Sequence, residues 1–245
     1  MPRFDGYLSV GKRCKEYYLH YGAKEEKIFF VPHSVDNDFF ARNHAILLPQ
    51  RDSLRKEWGI PNQAVVFLFA GKIINRKRPQ DFISGLELAF KRSSAVFGLF
   101  VGDGHLHSEL EEISRQRGLP VKFIGFLNQQ DIAKAYTVAD VLVLPSDEKE
   151  TWGLVVNEAM VCGLPAVVSD RVGCGPDLIT SGQTGEVFSY RDIHGLSNIM
   201  VKLANDQEYL GKMKMQVKKR IDSYSIEKTV EGTLSALRAV VIDRK

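Results

Sequence analysis

Two glutamates, Glu150 and Glu158, enclose seven residues in the segment Glu-Thr-Trp-Gly-Leu-Val-Val-Asn-Glu. The segment follows an apolar run at Val141–Leu144, so we expect Glu150 in a loop and Glu158 about one turn into the next helix. The start of that helix would comprise Trp152, Gly153 and Leu154. Free backbone N–H groups at a helix start attract anions such as a diphosphate, and the glycine lets the backbone approach one closely. The two carboxylates would then accept hydrogen bonds from sugar hydroxyls. The alternative is a pair of solvated glutamates, since acids are favoured at helix starts anyway.

A basic loop occupies the corresponding place after another predicted strand. The loop runs from Gly71 to Pro79 after the apolar run Val65–Ala70, and four of its residues are cationic: Lys72, Arg76, Lys77 and Arg78. Cations at the carboxyl end of a strand suit a phosphate-binding loop. The alternative is a solvated basic loop. It is less favoured because a second anion site is predicted at the same edge of the sheet.

Short apolar runs alternate with amphipathic segments along the middle of the chain. The runs that predict strands are Val65–Ala70, Val96–Val101, Val121–Ile124, Val141–Leu144, Ala166–Val168 and Gly185–Phe188. The segments that predict helices are Pro79–Lys91, Leu106–Arg117, Gln129–Val138 and Leu154–Cys162. This alternation predicts an α/β fold with a doubly wound parallel sheet, in which ligands lie outside the carboxyl ends of the strands. Both charged segments fall at that edge.

The front of the chain is less regular. Segments around Tyr7 and Phe29 predict strands on either side of a helix at Lys12–Tyr21. Residues 32–63 then show little regular pattern apart from a short helix near Ser53–Trp58. A β-α-β piece followed by an irregular connection indicates a domain boundary.

The tail predicts helices without strands. It begins at about Asp192 and ends in a helix at Ser225–Val241, whose apolar residues recur at helical spacing. We therefore divide the chain into a front piece with a linker (residues 1–45), a central α/β domain (46–223) and a final helix (224–245).

The composition is that of an ordinary globular protein, with 44% hydrophobic and 26% charged residues. The net charge of +3 is too small to indicate a nucleic-acid partner. Three cysteines without a Cys-x-x-Cys pair favour a reducing compartment. No stretch approaches ~18 apolar residues and no apolar run follows Met1, so we expect a cytoplasmic protein. The basic stretch Lys212–Arg220 predicts a solvated helix face, with contact to an anionic membrane as the alternative.

Two short patterns point to other chemistry, but only weakly. Asp36-Asn37-Asp38 has the Asp-x-Asp form of metal-dependent sugar transferases, yet it lies in the linker, so we expect no metal there. Gly102-x-Gly104 lacks the third glycine of a dinucleotide fingerprint because His107 occupies that position. A nicotinamide-dependent oxidoreductase is therefore the weakest interpretation.

From Asp5 to about Val241 the chain resembles the carboxyl-terminal half of family 4 retaining glycosyltransferases, which have the GT-B fold. The resemblance rests on several motifs in the right order: Glu150-x7-Glu158, Gly71-Lys72 with Lys77, Gly102-Asp103-Gly104, Phe123-Ile124-Gly125, Ala139-Asp140 through Ser146, Gly163-Leu164-Pro165 and Gly173-Cys174-Gly175 through Ile179. The implied architecture is a Rossmann-like sheet with a helical tail and a remnant of an amino-terminal domain.

The resemblance implies a role for each matching residue. Glu158 would hold the ribose hydroxyls of a UDP or GDP donor, and Glu150 would contact the transferred sugar. Lys72 and Lys77 would neutralise the diphosphate, which is electrostatic stabilisation of a leaving group. The remaining donor-binding residues would be Gly71, Trp152, Gly153, Leu154, Ile124 and Gly125. No cofactor or metal is expected, because cationic side chains replace the metal in this fold.

The chain departs from the family in three ways. Gly173-Cys174-Gly175 replaces a plainer Gly-Gly, and we expect Cys174 only to pack. Lys72 stands where many relatives have arginine, which loses a bidentate phosphate contact. Most of the amino-terminal domain that binds the acceptor has no counterpart, so we expect either a hexosyltransferase or a nucleotide-sugar-binding module that needs a separate acceptor domain. Strand edges without their parent sheet invite pairing, so association with a second copy is also expected.

Overall fold

A computed structural model describes residues 4–242 of the chain. The strands are, in chain order, β1 (Tyr7–Ser9), β2 (Ile28–Phe30), β3 (Val65–Ala70), β4 (Val96–Val101), β5 (Val121–Gly125), β6 (Val141–Leu144), β7 (Ala166–Ser169) and β8 (Gly185–Phe188). The helices are α1 (Lys12–His20), α2 (Asn37–Leu47), α3 (Arg51–Glu57), α4 (Pro79–Phe90), α5 (His107–Gln116), α6 (Ile132–Val138), α7 (Leu154–Val161), α8 (Gly175–Leu178), α9 (Ile193–Asn205), α10 (Gln207–Ile221) and α11 (Ile226–Ile242). Short 3-10 turns lie at Glu25–Lys27, Leu48–Gln50 and Asn75–Lys77.

Six strands form one parallel sheet in the order β5-β4-β3-β6-β7-β8. The chain therefore moves outward from β3 in one direction, returns to the centre and continues from β6 in the other direction. This reversal opens a crevice at the carboxyl ends of β3 and β6, where doubly wound folds bind ligands. The doubly wound parallel sheet predicted from the sequence is confirmed.

The central strands are buried on both faces, which explains their continuous apolar sequences. One apolar cluster joins one face of the sheet to α6 and α7, and the other joins the opposite face to α4, α9 and α10. Removing this apolar surface from water is the main term that favours folding, at about 25 cal/mol per Å².

The segment at residues 32–63 is more regular than the sequence predicted. It forms two helices, α2 and α3, and the Asp36 side chain caps α2 by accepting the Phe39 N–H at 2.8 Å. Phe40 is the one buried residue of α2, so the helix shows no clear apolar periodicity. The domain boundary placed at 45/46 falls inside α2, which packs on α6 and α7. The division into domains stays a prediction.

The predicted helix Gln129–Val138 begins later, at Ile132. The Asn128 side chain accepts the N–H groups of Gln130 and Asp131, which holds the preceding residues in a turn. A local polar side chain thus competes with the helix for these donors.

The front piece forms a separate two-stranded parallel sheet of β1 and β2. The final helix α11 packs against it closely: a Cβ added at Gly232 would lie 2.0 Å from the Phe30 carbonyl oxygen. The Thr229 hydroxyl also donates to the Pro32 carbonyl at 2.7 Å. Apolar side chains of this region remain exposed, among them Leu8, Phe30, Leu234 and Leu237. Of the helices within residues 4–242, none combines the length and apolar character needed to cross a membrane.

Candidate functional site

A cavity of about 920 Å³ lies at the carboxyl edge of the central sheet. Its walls come from the loops that follow β3, β4 and β5 and from two helices, α6 and α7. The lining residues are Ala70, Gly71, Lys72, Ile74, Arg76, Lys77, Val101, Gly102, Asp103, Gly104, Phe126, Leu127, Ile132, Tyr136, Val155 and Glu158. The structure therefore brings Gly71, Lys72, Lys77 and Glu158 together at one cavity.

The basic loop places three of its four cations at the cavity. Lys72, Arg76 and Lys77 line it, whereas Arg78 turns back to form two hydrogen bonds with the buried carboxylate of Asp81, at 2.9 and 2.6 Å. Arg78 has a left-handed backbone, with φ of 54°, at the junction between the 3-10 turn and α4. This conformation costs a non-glycine residue about 1 kcal/mol, and the Asp81 bonds hold it in place.

Glu150 does not itself line the cavity, but it forms an ion pair with Lys77, which does. Each side chain is 13% exposed, so the pair is largely shielded from water. The loop that carries Glu150 rests on Gly173, whose N–H donates to the Glu150 carbonyl at 2.8 Å. A Cβ at Gly173 would lie 1.9 Å from the Thr151 carbonyl oxygen, so the loop position requires glycine.

Glu158 accepts a hydrogen bond of 2.5 Å from the hydroxyl of Tyr136, which is fully buried. Burial raises the pKa of Glu158, and the bond from Tyr136 acts in the opposite direction. Burial and the neighbouring carboxylate raise the pKa of Tyr136, so the phenol stays a neutral donor. One oxygen of Glu158 is thus occupied by Tyr136, and the other is able to accept hydroxyl groups.

Tyr136 was missed in the sequence because its partner lies 22 residues away. The available signal was its position in α6, directly before the strand that leads to the Glu150–Glu158 segment.

Trp152 does not line the cavity. Its buried indole donates to Asn157 Oδ1 at 2.9 Å, and Asn157 in turn donates to the His33 carbonyl at 3.1 Å. Sequence alone could not tell which way the ring points, and the structure packs it between α7 and the front of the chain. Cys174, also buried, packs in the same core.

Gly153 and Leu154 begin α7 as predicted, but only the helix residues Val155 and Glu158 line the cavity. Gly153 has a φ of 106°, which favours glycine, and Leu154 is exposed. In the first turn of α7 the Val156 N–H donates to the Gly153 carbonyl at 2.8 Å, whereas the N–H groups of Leu154 and Val155 come too early in the helix to have an intrahelical acceptor.

Ile124 and Gly125 lie beside the cavity and do not form its wall. Ile124 packs against the apolar core, and the Gly125 carbonyl accepts the Gly102 N–H at 2.8 Å. The next two residues along the chain, Phe126 and Leu127, form the wall instead.

Two glycines allow the loops after β3 and β4 to pack closely against each other. A Cβ at Gly102 would lie 1.9 Å from the Gly71 carbonyl oxygen, and one at Gly104 would lie 2.3 Å from the Ile73 carbonyl oxygen. The Ile73 N–H also donates to the Asp103 carbonyl at 2.9 Å. These glycines are therefore needed because the two backbones pack against each other at the rim of the cavity. Across the residues described by the structure, no group of three or more His, Cys, Asp or Glu side chains is arranged to hold a metal ion.

Residues 50–220 match the family described as glycosyl transferases group 1, and the chain belongs to this family. A D-inositol 3-phosphate glycosyltransferase of Kribbella flavida is 28% identical over 232 residues, which cover 89% of this chain and 52% of the relative. An N-acetyl-alpha-D-glucosaminyl L-malate synthase of Bacillus anthracis is 29% identical over 155 residues, covering 63% of this chain and 40% of the relative. The chain thus spans about half or less of the length of these relatives.

Solved structures of low sequence identity share the fold. A glycosyltransferase from Rickettsia africae superposes with a TM-score of 0.82 at 17% identity, over 97% of this chain and 64% of the other. The Anabaena protein HepE in complex with UDP gives a TM-score of 0.80 at 20% identity, over 96% of this chain and 64% of the other. These similarities confirm the fold expected from the resemblance, that of a GT-B carboxyl-terminal domain.

Proposed function

We propose that this chain is the donor-binding domain of a retaining hexosyltransferase that uses a UDP- or GDP-sugar. The observation that carries the proposal is the convergence of Lys72, Lys77 and Glu158 on one cavity at the switch point of the sheet. The HepE structure in complex with UDP has the same fold, and a relative in Corynebacterium glutamicum is described as GDP-mannose-dependent. The two nucleotides therefore remain the candidates.

The charges of the cavity suit a nucleoside diphosphate joined to a sugar. Glu158 would accept hydrogen bonds from the ribose hydroxyls with its free oxygen. Lys72, Arg76 and Lys77 would face the diphosphate, whose negative charge grows as the bond to the sugar breaks. Cations fixed at that position stabilise the transition state more than the ground state.

Glu150 would contact hydroxyls of the transferred sugar, because its ion pair with Lys77 places it next to the proposed phosphate position. Lys77 would then lie between two anions, the carboxylate and the diphosphate. We infer that no metal is needed, since the cations on this side of the cavity would supply the positive charge.

Calorimetric titration with UDP-glucose and GDP-mannose tests donor binding. Glu158→Ala and Lys77→Ala should each weaken binding by roughly ten- to a hundredfold, the value of a charge-assisted hydrogen bond of about 1.5–3 kcal/mol. Glu111→Ala and Lys27→Ala are matched controls, because both side chains are exposed and neither lines the cavity. If no nucleotide binds below millimolar concentration, the proposed function is wrong.

A second candidate is a nucleotide-sugar-binding module that cannot transfer sugar without a separate acceptor domain. The exposed apolar residues of the front piece and α11 favour it, because they form a surface suited to another folded unit. Donor binding is expected in both cases, and an assay for transfer by this chain alone separates them. Detectable transfer excludes the module, and the anomeric configuration of the product tests retention.

A further inference from the structure

A second cavity, of about 360 Å³, lies at the opposite edge of the central sheet. It is bounded by Ala139 and Leu164, which precede β6 and β7, whereas the donor cavity lies beyond the carboxyl ends of the strands. The elements on either side of it are the end of α2 and the middle of α10. This cavity is therefore separate from the candidate donor site.

The charges around this cavity do not balance. The buried carboxylate of Asp140 pairs with three cations, Arg51, Arg55 and Lys214, each at 2.7 Å. Lys218 adds another cation to the wall, and within residues 4–242 it forms no salt bridge. Four cations thus face two carboxylates, Asp140 and Asp52, the second of which acts on Arg55 from the neighbouring groove. Three of the cations line the cavity itself, and the remaining positive charge makes this region an attractive position for an anion.

His44 lies within the same field. Its Nδ1 is 3.2 Å from the Thr137 hydroxyl oxygen, and that hydroxyl donates to the Ala133 carbonyl at 2.8 Å. Thr137 therefore accepts from His44. Burial, followed by the charges of Lys218 and its neighbours, lowers the pKa of His44, so the ring is neutral at pH 7 and leaves the excess charge to the cations.

The mouth of the cavity also carries exposed apolar side chains. Met215 on α10 is 69% exposed, and Leu48 at the end of α2 is 49% exposed. A small soluble anion would leave both side chains in water. A phospholipid would satisfy both features, because its phosphate meets the cations while the apolar side chains enter the interface below the headgroups.

We propose that this basic edge, defined by Arg51, Lys214, Lys218, Leu48 and Met215, docks on an anionic phospholipid surface. The basic stretch at residues 212–220 of α10 extends the same positive surface, with Lys219 exposed beside Lys218. Juxtamembrane cations each strengthen such binding by about fivefold, and salt weakens it.

The test is flotation of the full chain with phosphatidylcholine vesicles, with and without phosphatidylglycerol. We expect binding only to the anionic vesicles and its loss in high salt. Lys218→Gln should weaken binding by about fivefold. Met215→Ser, which leaves every charge in place, should also weaken binding in low salt, and charge alone does not explain such a loss. Lys27→Gln, which changes an exposed lysine of the front piece, is the matched control and should bind as the wild type.

Three results would overturn the proposal. The first is no binding to anionic vesicles, and the second is equal loss of binding in Lys27→Gln and Lys218→Gln. The third is thermal stabilisation by inorganic phosphate that Lys218→Gln abolishes, without vesicle binding, because that result assigns the cluster to a soluble anion. Nucleotide affinity, measured in parallel, should be unchanged in all these variants since their side chains lie away from the donor cavity.

Discussion

The hydrogen bond from Tyr136 to Glu158 offers a sharp test of the donor site. Replacing Tyr136 with phenylalanine removes one hydroxyl and keeps the buried ring, so it leaves no large cavity in the core. A hydrogen bond to a charged group contributes about 1.5–3 kcal/mol, and water at the half-buried carboxylate would replace part of it. We therefore expect nucleotide affinity to fall by roughly five- to thirtyfold, which corresponds to about 1–2 kcal/mol.

The pH dependence should change in the same variant. Burial already raises the pKa of Glu158, and Tyr136 counteracts this increase by stabilising the carboxylate. Without the hydroxyl, the pKa of Glu158 rises further, so the ionised form is lost at a higher pH. Nucleotide binding, which requires the carboxylate as an acceptor, should therefore decline at a higher pH than in the wild type as the pH is lowered.

Calorimetric titration of UDP and GDP across a pH series measures both effects. Tyr209→Phe is the matched control, because Tyr209 donates an equally short bond of 2.5 Å to Glu186, far from the cavity. If Tyr136→Phe binds nucleotide within twofold of the wild type and with the same pH profile, Glu158 does not hold the ribose.

Three further predictions concern the stability and the association of the chain. Asp140→Asn should lower the free energy of unfolding by about 3–5 kcal/mol, because it leaves the buried Arg55 without its carboxylate. Burial alone would raise the pKa of Asp140, but the neighbouring cations lower it from 3.8 to about 2. The stabilisation is therefore present above pH 3.8 and is lost as the pH falls through about 2. Acid unfolding of the wild type and of the variant measures this stabilisation. Gly173→Ala should destabilise the chain by about 1–3 kcal/mol and weaken donor binding, whereas Gly211→Ala, in an open helix position, should stabilise it by about 1 kcal/mol; thermal unfolding compares them. The exposed strands of the front piece should give self-association in light scattering at high concentration, and a strictly monomeric species would contradict this expectation.

The sheet and its binding edge were predictable because they depend on local patterns. Buried strands such as Val65–Ala70 are continuous apolar runs that end in glycine, and charged segments after two of them marked the edge that carries the cavity. The helix α2 was not predictable, because one buried side chain gives no periodicity.

The orientation of individual side chains was also beyond the sequence. Trp152 belongs to the motif that carries Glu150 and Glu158, yet its ring is held in the core by Asn157. Tyr136 looks like an ordinary apolar residue of a helix face until its hydroxyl is seen against Glu158. Both contacts join residues through the tertiary structure, and spacing alone carries no information on them.

The close approach of the loops at Gly102 and Gly104 divides the donor cavity into a fixed wall and an adaptable one. Backbone packed against backbone leaves no room for a side chain, so that wall has little freedom to change shape during evolution. The wall formed by the loop after β5 carries Phe126, whose side chain is 75% exposed. Discrimination between uracil and guanine should therefore depend on this wall. Phe126→Ala should alter the ratio of UDP affinity to GDP affinity, whereas the glycine-bearing loops tolerate little change.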